Sequence, residues 1–390
     1  MLGSLEGIRV VDVTMSVAGP FATQILGDLG ADVIKVERPE VGDDTRRWGP
    51  PFWDEDESCT FTALNRNKRS VVLDLKAERD REAFIELIGE ADVFVQNIRP
   101  GSLTKLGLGH EEMRAINPRL IYCDMSGYGL KGPQAMSPAY DPLMQAYGGL
   151  MSLNGEEGRA PARIPASILD QGTGMWTAIA VLDALRSRER TGKGAHVHTS
   201  LLNTALMWLP AQLAGYFAAE VIPPRLGSGT IGIYPYAAFP TADNWIIIAA
   251  GNENLWQRLC GAIDREELTR DPRFLLNPDR VAHREELFQE LATTLRGADG
   301  VSWVTKLTAA GVPTTPIQTL DQVVADEQVA AIGALPELPH PRIEGFRIVN
   351  LPIQVDGEYA PVRRVPPLLG EHNQEVLGDR STTEGGKKES

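Results

Sequence analysis

Short apolar runs alternate with helix-like segments through the first 130 residues of the chain. Five of the runs are rich in β-branched side chains and predict strands, at 8–14, 32–37, 70–75, 92–97 and 120–128. The segments between them predict helices, at 21–31, 78–90 and 102–116. Strand and helix in steady alternation indicate βαβ units and therefore an α/β fold with a parallel sheet.

A parallel sheet of this kind binds its ligands outside the carboxyl ends of its strands. The predicted ends hold most of the unusual residues in this half of the chain. They are the segments 13–18, 37–39, 74–76, 96–100 and 126–129.

The pattern changes after residue 130. Five prolines between 133 and 167 predict loops, and 172–220 predicts a long helical region. The Gly/Pro-rich segment IPPRLGSGTIG (222–232) predicts a domain boundary. The segment 236–251 predicts a hairpin, and helices follow to about residue 330. The stretch 336–370 is proline-rich and strand-like, and 381–390 predicts a disordered polar tail.

Composition narrows the function. The formal net charge of −14 argues against general nucleic-acid binding. The three cysteines lie far apart and form no CxxC pair, which suits a reducing compartment. The N-terminus has no cleavage signature and no run reaches the length of a membrane span, so we expect a cytoplasmic protein that is not in the membrane.

Several common motifs are missing. Gly27 and Gly30 lack the G-x-G-x-x-G spacing of a dinucleotide site, and neither a P-loop nor a G-x-S-x-G elbow occurs. His196 and His198 would share one face of a strand as a metal pair, but no third ligand lies nearby in sequence, so we expect no metal.

Basic residues gather near the predicted strand ends. Arg38, Lys76, Arg99 and Lys105 follow strands. Further cations lie between them, at Arg46, Arg47, Arg66, Lys68 and Arg69. On an acidic protein such a cluster would attract phosphates, although scattered surface charge is the alternative.

The segment SILDQGTGMW (167–176) sets Asp170 before Gly172 and Gly174, at the start of a helix-like stretch. Asp170 is then either an N-cap or a nucleophile or base that a large substrate reaches. The glycines would allow close backbone approach and leave room for that substrate.

A set of linked motifs resembles the family III CoA-transferases over about residues 4–375. The segments that carry the resemblance are LEGIRVVDVT, AGPFATQILGDLGADVIKVERPEVGDDTRRWGPP, NRNKRSVVLDLK, ADVFVQNIRPGSLTKLGLG, NPRLIYCDMSGYGLKGP, DQGTG and RTGKG. The resemblance implies a large Rossmann-like domain from 1–221 and 331–380, a smaller α+β domain at 222–330, and an interlocked homodimer.

The same resemblance implies site residues. The catalytic residue is Asp170. The CoA contacts fall on Val17, Ala18, Arg38, Lys76, Asn97, Ile98 and Lys105. Trp48 and Tyr140 would line the acyl pocket, and Gly251 and Asn252 match a glycine-rich lid that keeps only one glycine here. The CoA thioester is a substrate, and no separate cofactor is expected.

The family also contains 2-methylacyl-CoA racemases, which carry a His-Asp pair after the G-Y-G segment. Here Tyr140 precedes Asp141, and a tyrosine of ordinary pKa near 10 is a poor base, which argues against racemisation. A transferase needs only the Asp170 carboxylate, which would form an aspartyl-CoA thioester. Racemase and non-catalytic acyl-CoA binder remain alternatives.

The resemblance is greatest to members that use dicarboxylates, such as the succinyl-CoA:glutarate type. A second carboxylate on the substrate would be bound best by an arginine, and the candidates are Arg47, Arg66 and Arg163. Formyl-CoA:oxalate, mesaconyl, malate, citramalate and carnitine-type substrates remain open.

Overall fold

The computed structural model describes residues 3–53 and 57–378. They divide into two compact units. The sheet unit comprises the described parts of Met1–Gly149, Ile164–Pro210 and Ile332–Ser390, and the small unit comprises Leu150–Arg163 and Ala211–Ala331. The small unit thus also takes in 150–163 and 211–221, which the sequence interpretation assigned to the large domain. The predicted disordered tail lies outside the described residues.

The sheet unit is built on six parallel strands, which confirms the predicted α/β fold. They are β1 (Arg9–Asp12), β2 (Asp32–Glu37), β3 (Lys68–Val72), β4 (Val93–Gln96), β5 (Ile121–Ser126) and β6 (His196–Ser200). Their order is β3-β2-β1-β4-β5-β6, the strand order of the Rossmann fold. The order reverses between β1 and β4, so ligands of this sheet are expected at the carboxyl edge beside these two strands.

The helices of the chain follow in sequence order. They are α1 (Ala18–Asp28), α2 (Cys59–Leu64), α3 (Glu78–Gly89), α4 (His110–Ile116), α5 (Asp141–Tyr147), α6 (Leu150–Leu153), α7 (Ile168–Thr191), α8 (Leu201–Met207), α9 (Pro210–Ala219), α10 (Glu253–Ala262), α11 (Asn277–Ala282), α12 (Arg284–Leu295), α13 (Gly300–Ala309), α14 (Leu320–Ala325), α15 (Glu327–Ala331) and α16 (Asn373–Leu377). Short 3-10 turns occupy Asp44–Arg47, Thr104–Leu106 and Glu266–Arg270. Among the described residues, no helix combines the length and apolar content that a bilayer crossing requires.

The strands are apolar on both faces because helices cover the sheet on both sides. Val10 of β1 faces the layer of α1 and α7, where it joins the cluster that contains Leu26 and Val181. Val11, its neighbour, faces the layer of α3 and α4 and joins the cluster that contains Phe84. The side chains alternate because successive residues of a strand point to opposite faces.

Two predicted helical segments are broken in the structure. The segment 172–220 contains β6, so the prediction of one long helical region was wrong there. Helix α7 ends at Gly192, whose φ of 70° is left-handed, and the β-prone run HVHTS follows. The segment 102–116 divides into a 3-10 turn and α4, because Gly107 takes a φ of 72° between them.

The small unit has its own antiparallel sheet. Strands β7 (Tyr236–Pro240) and β8 (Trp245–Ala249) form the predicted hairpin, and β9 (Thr314–Pro316) pairs with the other side of β8. The helices from α10 to α13 pack on this sheet around the buried side chains of Phe239 and Trp256. The proline-rich stretch 336–370, predicted as strand-like, has only the two-residue strands β10 (Gln354–Val355) and β11 (Glu358–Tyr359).

Candidate active site

Asp170 lies in the first turn of α7, the helix that runs from the carboxyl edge of the sheet back toward the start of β6. Its N-cap residue, Ser167, makes no capping hydrogen bond. The buried carboxylate of Asp141 caps the helix instead: Oδ2 accepts from the backbone N–H of Leu169 at 2.7 Å and of Asp170 at 3.2 Å. The structure therefore excludes the N-cap interpretation of Asp170. Its carboxylate is not used to cap α7.

Asp141 is itself held in place. It begins α5, and its Oδ1 accepts a hydrogen bond from Gln145 Nε2 at 2.6 Å, one turn later on the same helix. The other amide atom of Gln145 accepts from the backbone N–H of Ile164 at 2.9 Å. The segment that leads into α7 is thus tied to α5 by side chains that are fully or nearly fully buried.

The pKa of Asp170 is raised from its ordinary value of 3.8 to about 7. Burial is the larger cause, and the nearby negative charge of Asp141 adds to it. Among the described residues, no hydrogen-bond donor reaches the Asp170 carboxylate to offset either effect. A carboxylate that is poorly solvated and ionises near neutral pH is a candidate nucleophile or base.

Gly172 and Gly174 serve helix packing rather than substrate space, which corrects the sequence interpretation. A Cβ on Gly174 would lie 2.8 Å from the carbonyl oxygen of Ala18 in α1. A Cβ on Gly172 would lie 2.8 Å from the ring of Trp208 and 2.9 Å from the side chain of Thr204. Since Asp170 lies one turn before Gly174, the same face of α7 that meets α1 carries the carboxylate.

The structure brings the predicted CoA contacts of the sheet unit to one edge. Val17 precedes α1 and Ala18 begins it, after the short loop that follows β1, while Asn97 and Ile98 follow β4. These four residues flank the point where the strand order reverses. Asn97 bridges it, since its Oδ1 accepts from Met15 N at 2.9 Å and its Nδ2 donates to Met15 O at 2.7 Å.

Three of the predicted phosphate-binding cations are exposed at the same edge. Arg38 follows β2, Lys76 follows β3, and Lys105 lies in the 3-10 turn after β4. Arg38 pairs with Asp44 at 2.6 Å on the surface, whereas Lys76 and Lys105 have no ion-pair partner among the described residues. Exposed cations at this edge are suited to bind phosphate groups.

The other basic residues of the predicted cluster are mostly internal, which corrects their assignment to a phosphate site. Four of them are bound to carboxylates: Arg46 to Glu37, Arg66 to Asp28, Lys68 to Asp12, and Arg69 to Asp32. Arg66 is also removed from the candidates for a second substrate carboxylate, because its guanidinium makes two hydrogen bonds to Asp28 inside the sheet unit. Arg47 is exposed and has no ion pair among the described residues.

The predicted pocket residues fall in both units. Trp48 directly follows the 3-10 turn Asp44–Arg47, and Tyr140, 60% exposed, directly precedes α5. Gly251 and Asn252 belong to the small unit, where the side chain of Asn252 caps α10 by accepting from Leu255 N at 2.9 Å.

The sequence interpretation missed the capping role of Asp141. It treated this residue only as the partner of a histidine that the chain lacks. The Asp-Pro pair at the start of α5 is a helix-start signal, but nothing local shows that the carboxylate caps a different helix 28 residues away. No group of three or more metal-ligating side chains is assembled within the described ranges, and His196 instead binds Asp124.

Proteins of known family are similar to this chain over most of its length. A family model described as CoA-transferase family III matches residues 5–373. The succinyl-CoA:glutarate CoA-transferase of Mus musculus is 37% identical over 96% of this chain and 85% of its own. The acetyl-CoA:oxalate CoA-transferase of Acetobacter aceti is 40% identical over 85% of each chain.

A solved structure shows the same fold over almost the whole chain. The crystal structure of a CaiB/BaiF family protein from Brucella suis matches with a TM-score of 0.89 and 38% identity, covering 98% of this chain and all of its own. The family match and the named relatives show that this α/β protein is an acyl-CoA:carboxylate CoA-transferase. The chain belongs to CoA-transferase family III, as its sequence motifs predicted.

Proposed function

We propose that this CoA-transferase moves CoA from succinyl-CoA to a dicarboxylic acid, and that Asp170 carries the CoA between them as an aspartyl thioester. The observation that carries the proposal is the state of the Asp170 carboxylate. It is largely buried, is not used as a cap, receives no hydrogen bond from the described residues, and has a pKa of about 7. Above that pH it is a poorly solvated anion, which favours nucleophilic attack.

The reaction balances without an outside proton or electron. Asp170 attacks the donor carbonyl, and the C–S bond breaks. This step releases CoA thiolate and forms a mixed anhydride between Asp170 and the donor acyl group. The thiolate attacks the Asp170 carbonyl, which forms the aspartyl-CoA thioester and releases the donor carboxylate. The acceptor carboxylate attacks that thioester, and the thiolate freed in this step attacks the acceptor carbonyl of the second anhydride. The products are the acceptor-CoA ester and free Asp170.

The exposed cations at the carboxyl edge of the sheet support the proposal that the substrate is a CoA ester. Arg38, Lys76 and Lys105 are exposed cations beside the reversal point of the sheet. They suit the phosphates of CoA, whereas the chain as a whole carries a formal charge of −14 and would repel an anion. We therefore assign the CoA nucleotide to this edge.

The dicarboxylate part rests on similarity to enzymes that use succinyl-CoA and glutarate. The exposed guanidinium of Arg47, at the end of the 3-10 turn before Trp48, is the sheet unit's candidate partner for a second carboxylate. The similar oxalate enzyme shows that the acceptor differs among relatives, so the acceptor has to be measured.

An exchange assay tests the function. The protein is incubated with succinyl-CoA and a panel of mono- and dicarboxylic acids, and new CoA esters are identified by mass spectrometry. A new ester formed with a dicarboxylate supports the proposal. No new ester with any acid, or solvent deuterium entering C2 of a 2-methylacyl-CoA, contradicts it and points to a binder or a racemase.

Intact-protein mass spectrometry tests the covalent step separately. With succinyl-CoA and no acceptor, the native protein should gain the mass of CoA less one water. Asp170→Asn should gain nothing, while Asp183→Asn, an exposed carboxylate on the same helix, should behave as the native protein does. Exchange without any adduct on the native protein, or an adduct that survives Asp170→Asn, would exclude the Asp170 thioester.

We also propose that the enzyme is a homodimer with interlocked chains, in a reducing compartment such as the cytoplasm. Apolar side chains on the outer faces of α7 and α8 support an interface, since Met175, Ile179 and Met207 are each about half exposed. Light scattering should give twice the chain mass. Two differently tagged dimers should exchange subunits only after unfolding. The three unpaired cysteines suit a reducing compartment.

A further inference from the structure

The loop between β1 and α1 is held by side chains from several elements around it. Asn97, after β4, pairs with Met15 through both atoms of its amide group, at 2.9 and 2.7 Å. Such a two-bond pairing imitates one rung of a β-ladder and joins the ends of β1 and β4 across the point where the strand order reverses. The Asn97 amide group is thus engaged within the protein.

Buried charges fix the rest of this loop. Lys35 and Asp43 form a fully buried ion pair at 2.9 Å. Lys35 Nζ also donates to the carbonyl of Thr14 at 2.9 Å, and Asp43 Oδ1 accepts from the backbone N–H of Ser16 at 3.1 Å. Ser16 has a φ of 67°, a left-handed conformation that a residue with a side chain keeps only when its surroundings enforce it.

This loop leads directly into the start of α1. The helix has no side-chain cap, and among the described residues no acceptor meets the backbone N–H of Ala18 or Gly19. The loop and the first turn are packed as one piece, since a Cβ on Gly19 would lie 2.2 Å from Cβ of Thr14. The same turn lies against α7, one turn from Asp170, at the Ala18–Gly174 contact.

We propose that Asn97 is a positioning residue for the transfer reaction rather than a side-chain ligand of CoA. By pairing with Met15, Asn97 fixes the loop between β1 and α1. The fixed loop in turn positions the free N–H groups of Ala18 and Gly19 toward the substrate carbonyl. Each attack at that carbonyl develops negative charge on oxygen, and N–H groups fixed in advance stabilise such charge. This inference rests on the proposed function.

The chain offers a matched control at the opposite edge of the sheet. Asn117, before β5, also uses its amide group as a clamp: Nδ2 donates to Ala91 O at 2.7 Å and to Ile88 O at 3.1 Å, and Oδ1 accepts from Arg119 N at 3.1 Å. Asn97→Asp and Asn117→Asp therefore remove the same kind of donor from a backbone carbonyl. Only the first does so in the loop that leads to α1 and its contact with Gly174.

The test compares Asn97→Asp, Asn97→Ala and Asn117→Asp with the native protein. We expect both Asn97 variants to lose about 10- to 100-fold in kcat, with the Kd for CoA, measured by calorimetry, within about threefold of native. We expect Asn117→Asp to keep its kcat with a similar fall in Tm. Unchanged kcat, or a CoA affinity that falls with kcat preserved, would overturn the proposal and make Asn97 a structural residue or a ligand.

Hydrogen exchange separates this inference from the proposed function. The hydrogen-bonded amides of the segment 13–16 should lose protection in both Asn97 variants and keep it in Asn117→Asp. Unchanged protection overturns the clamp whatever reaction the native protein performs. If protection falls as expected but the native protein transfers CoA to no acid, the clamp is supported and the proposed function fails instead.

Discussion

The carboxylate of Asp141 caps the helix that carries Asp170, with Oδ2 2.7 Å from Leu169 N and 3.2 Å from Asp170 N. Asp141 thereby fixes the start of α7, and it also places its negative charge near the carboxylate of Asp170. The cap stabilises α7, while the charge adds to the rise in the pKa of Asp170 that burial mainly causes. The same carboxylate of Asp141 therefore affects both the position of Asp170, the proposed nucleophile, and its pKa.

Asp141→Asn should shift the pH dependence of transfer. The neutral amide removes the second cause of the raised Asp170 pKa and leaves burial, so the pKa falls below about 7 but not to 3.8. Because the ionised carboxylate is the active form, the acid limb of kcat/KM should move to lower pH. The variant should also lose about 1–2 kcal/mol of stability, since an Asn amide group would face Gln145 Nε2.

The pH dependence of kcat/KM between pH 5 and 9 checks this prediction. Asp183→Asn, on the exposed face of the same helix, serves as the control and should keep the native profile. An acid limb that stays in place in Asp141→Asn would mean that the Asp141 charge has no effect on the nucleophile.

Asp170→Asn should stabilise the protein above pH 7 while abolishing transfer. The folded-state pKa, about 7, exceeds the ordinary 3.8, so the native state holds its proton longer than the unfolded state does. The stability gained from that proton is complete below pH 4 and is lost as pH rises through 7. The amide avoids this loss, and the gain at pH 8 should be about 1–3 kcal/mol, since a unit of pKa is worth about 1.4 kcal/mol and partial solvent exposure reduces the full effect.

Urea unfolding of Asp170→Asn and the native protein at pH 5 and pH 8 measures this difference. The advantage of the variant should be larger at pH 8. Equal differences at the two pH values would show that the Asp170 carboxylate is solvated well enough to keep an ordinary pKa.

Gly174→Ala should disturb the contact between α1 and α7. The new Cβ would meet the carbonyl oxygen of Ala18 at 2.8 Å, and a backbone atom cannot turn aside as a side chain does. We expect a loss of about 1–3 kcal/mol of stability and a fall in kcat, because Asp170 lies one turn away. Gly261→Ala, at an open position of α10, should be neutral or stabilising by up to about 1 kcal/mol.

Chemical denaturation and steady-state kinetics of the two glycine variants check this expectation. If Gly174→Ala were as stable and active as the native protein, the close approach of the two helices at the active site would not be required.

Lys76→Ala and Lys105→Ala should each raise KM for the acyl-CoA by about tenfold, equivalent to about 1.4 kcal/mol, with little effect on kcat. Both lysines are exposed and lack ion-pair partners among the described residues, so their loss removes attraction to phosphate and little else. The salt dependence of KM should become weaker in both variants.

Lys193→Ala is the control, because Lys193 is an exposed lysine after α7, toward the amino ends of the strands. It should leave KM unchanged. If all three variants raised KM equally, the cause would be the net charge of the protein and not a phosphate site.

Local sequence determined much of the fold. Strand β2 has the predicted bounds 32–37, and the hairpin of β7 and β8 lies within 236–251, because β-branched runs and turn residues act over a few neighbours. Strand β6 was missed because it is short, half exposed and lies between helices. Its pairing with β5 is a long-range contact that a local pattern does not contain.

The site shows the same division. Linked motifs along the chain identified the family and pointed to Asp170 as the candidate catalytic residue, and the ends of predicted strands placed the exposed cations at one edge. Only the tertiary structure separated Arg47, Lys76 and Lys105 from the arginines and lysines held in internal ion pairs, since partners such as Asp28 and Asp12 lie 38 and 56 residues away.

The sequence by itself thus determined the alternation of strands and helices and the family, and it singled out Asp170 as the candidate nucleophile, because these inferences depend on residue types and their spacing. The tertiary structure alone decided which groups meet. It shows that Asp141 caps α7, that Asn97 pairs with Met15, and that Gly174 allows the close approach of α1. The physical reason is that burial, charge and hydrogen bonding act through space, between residues that the chain order keeps far apart.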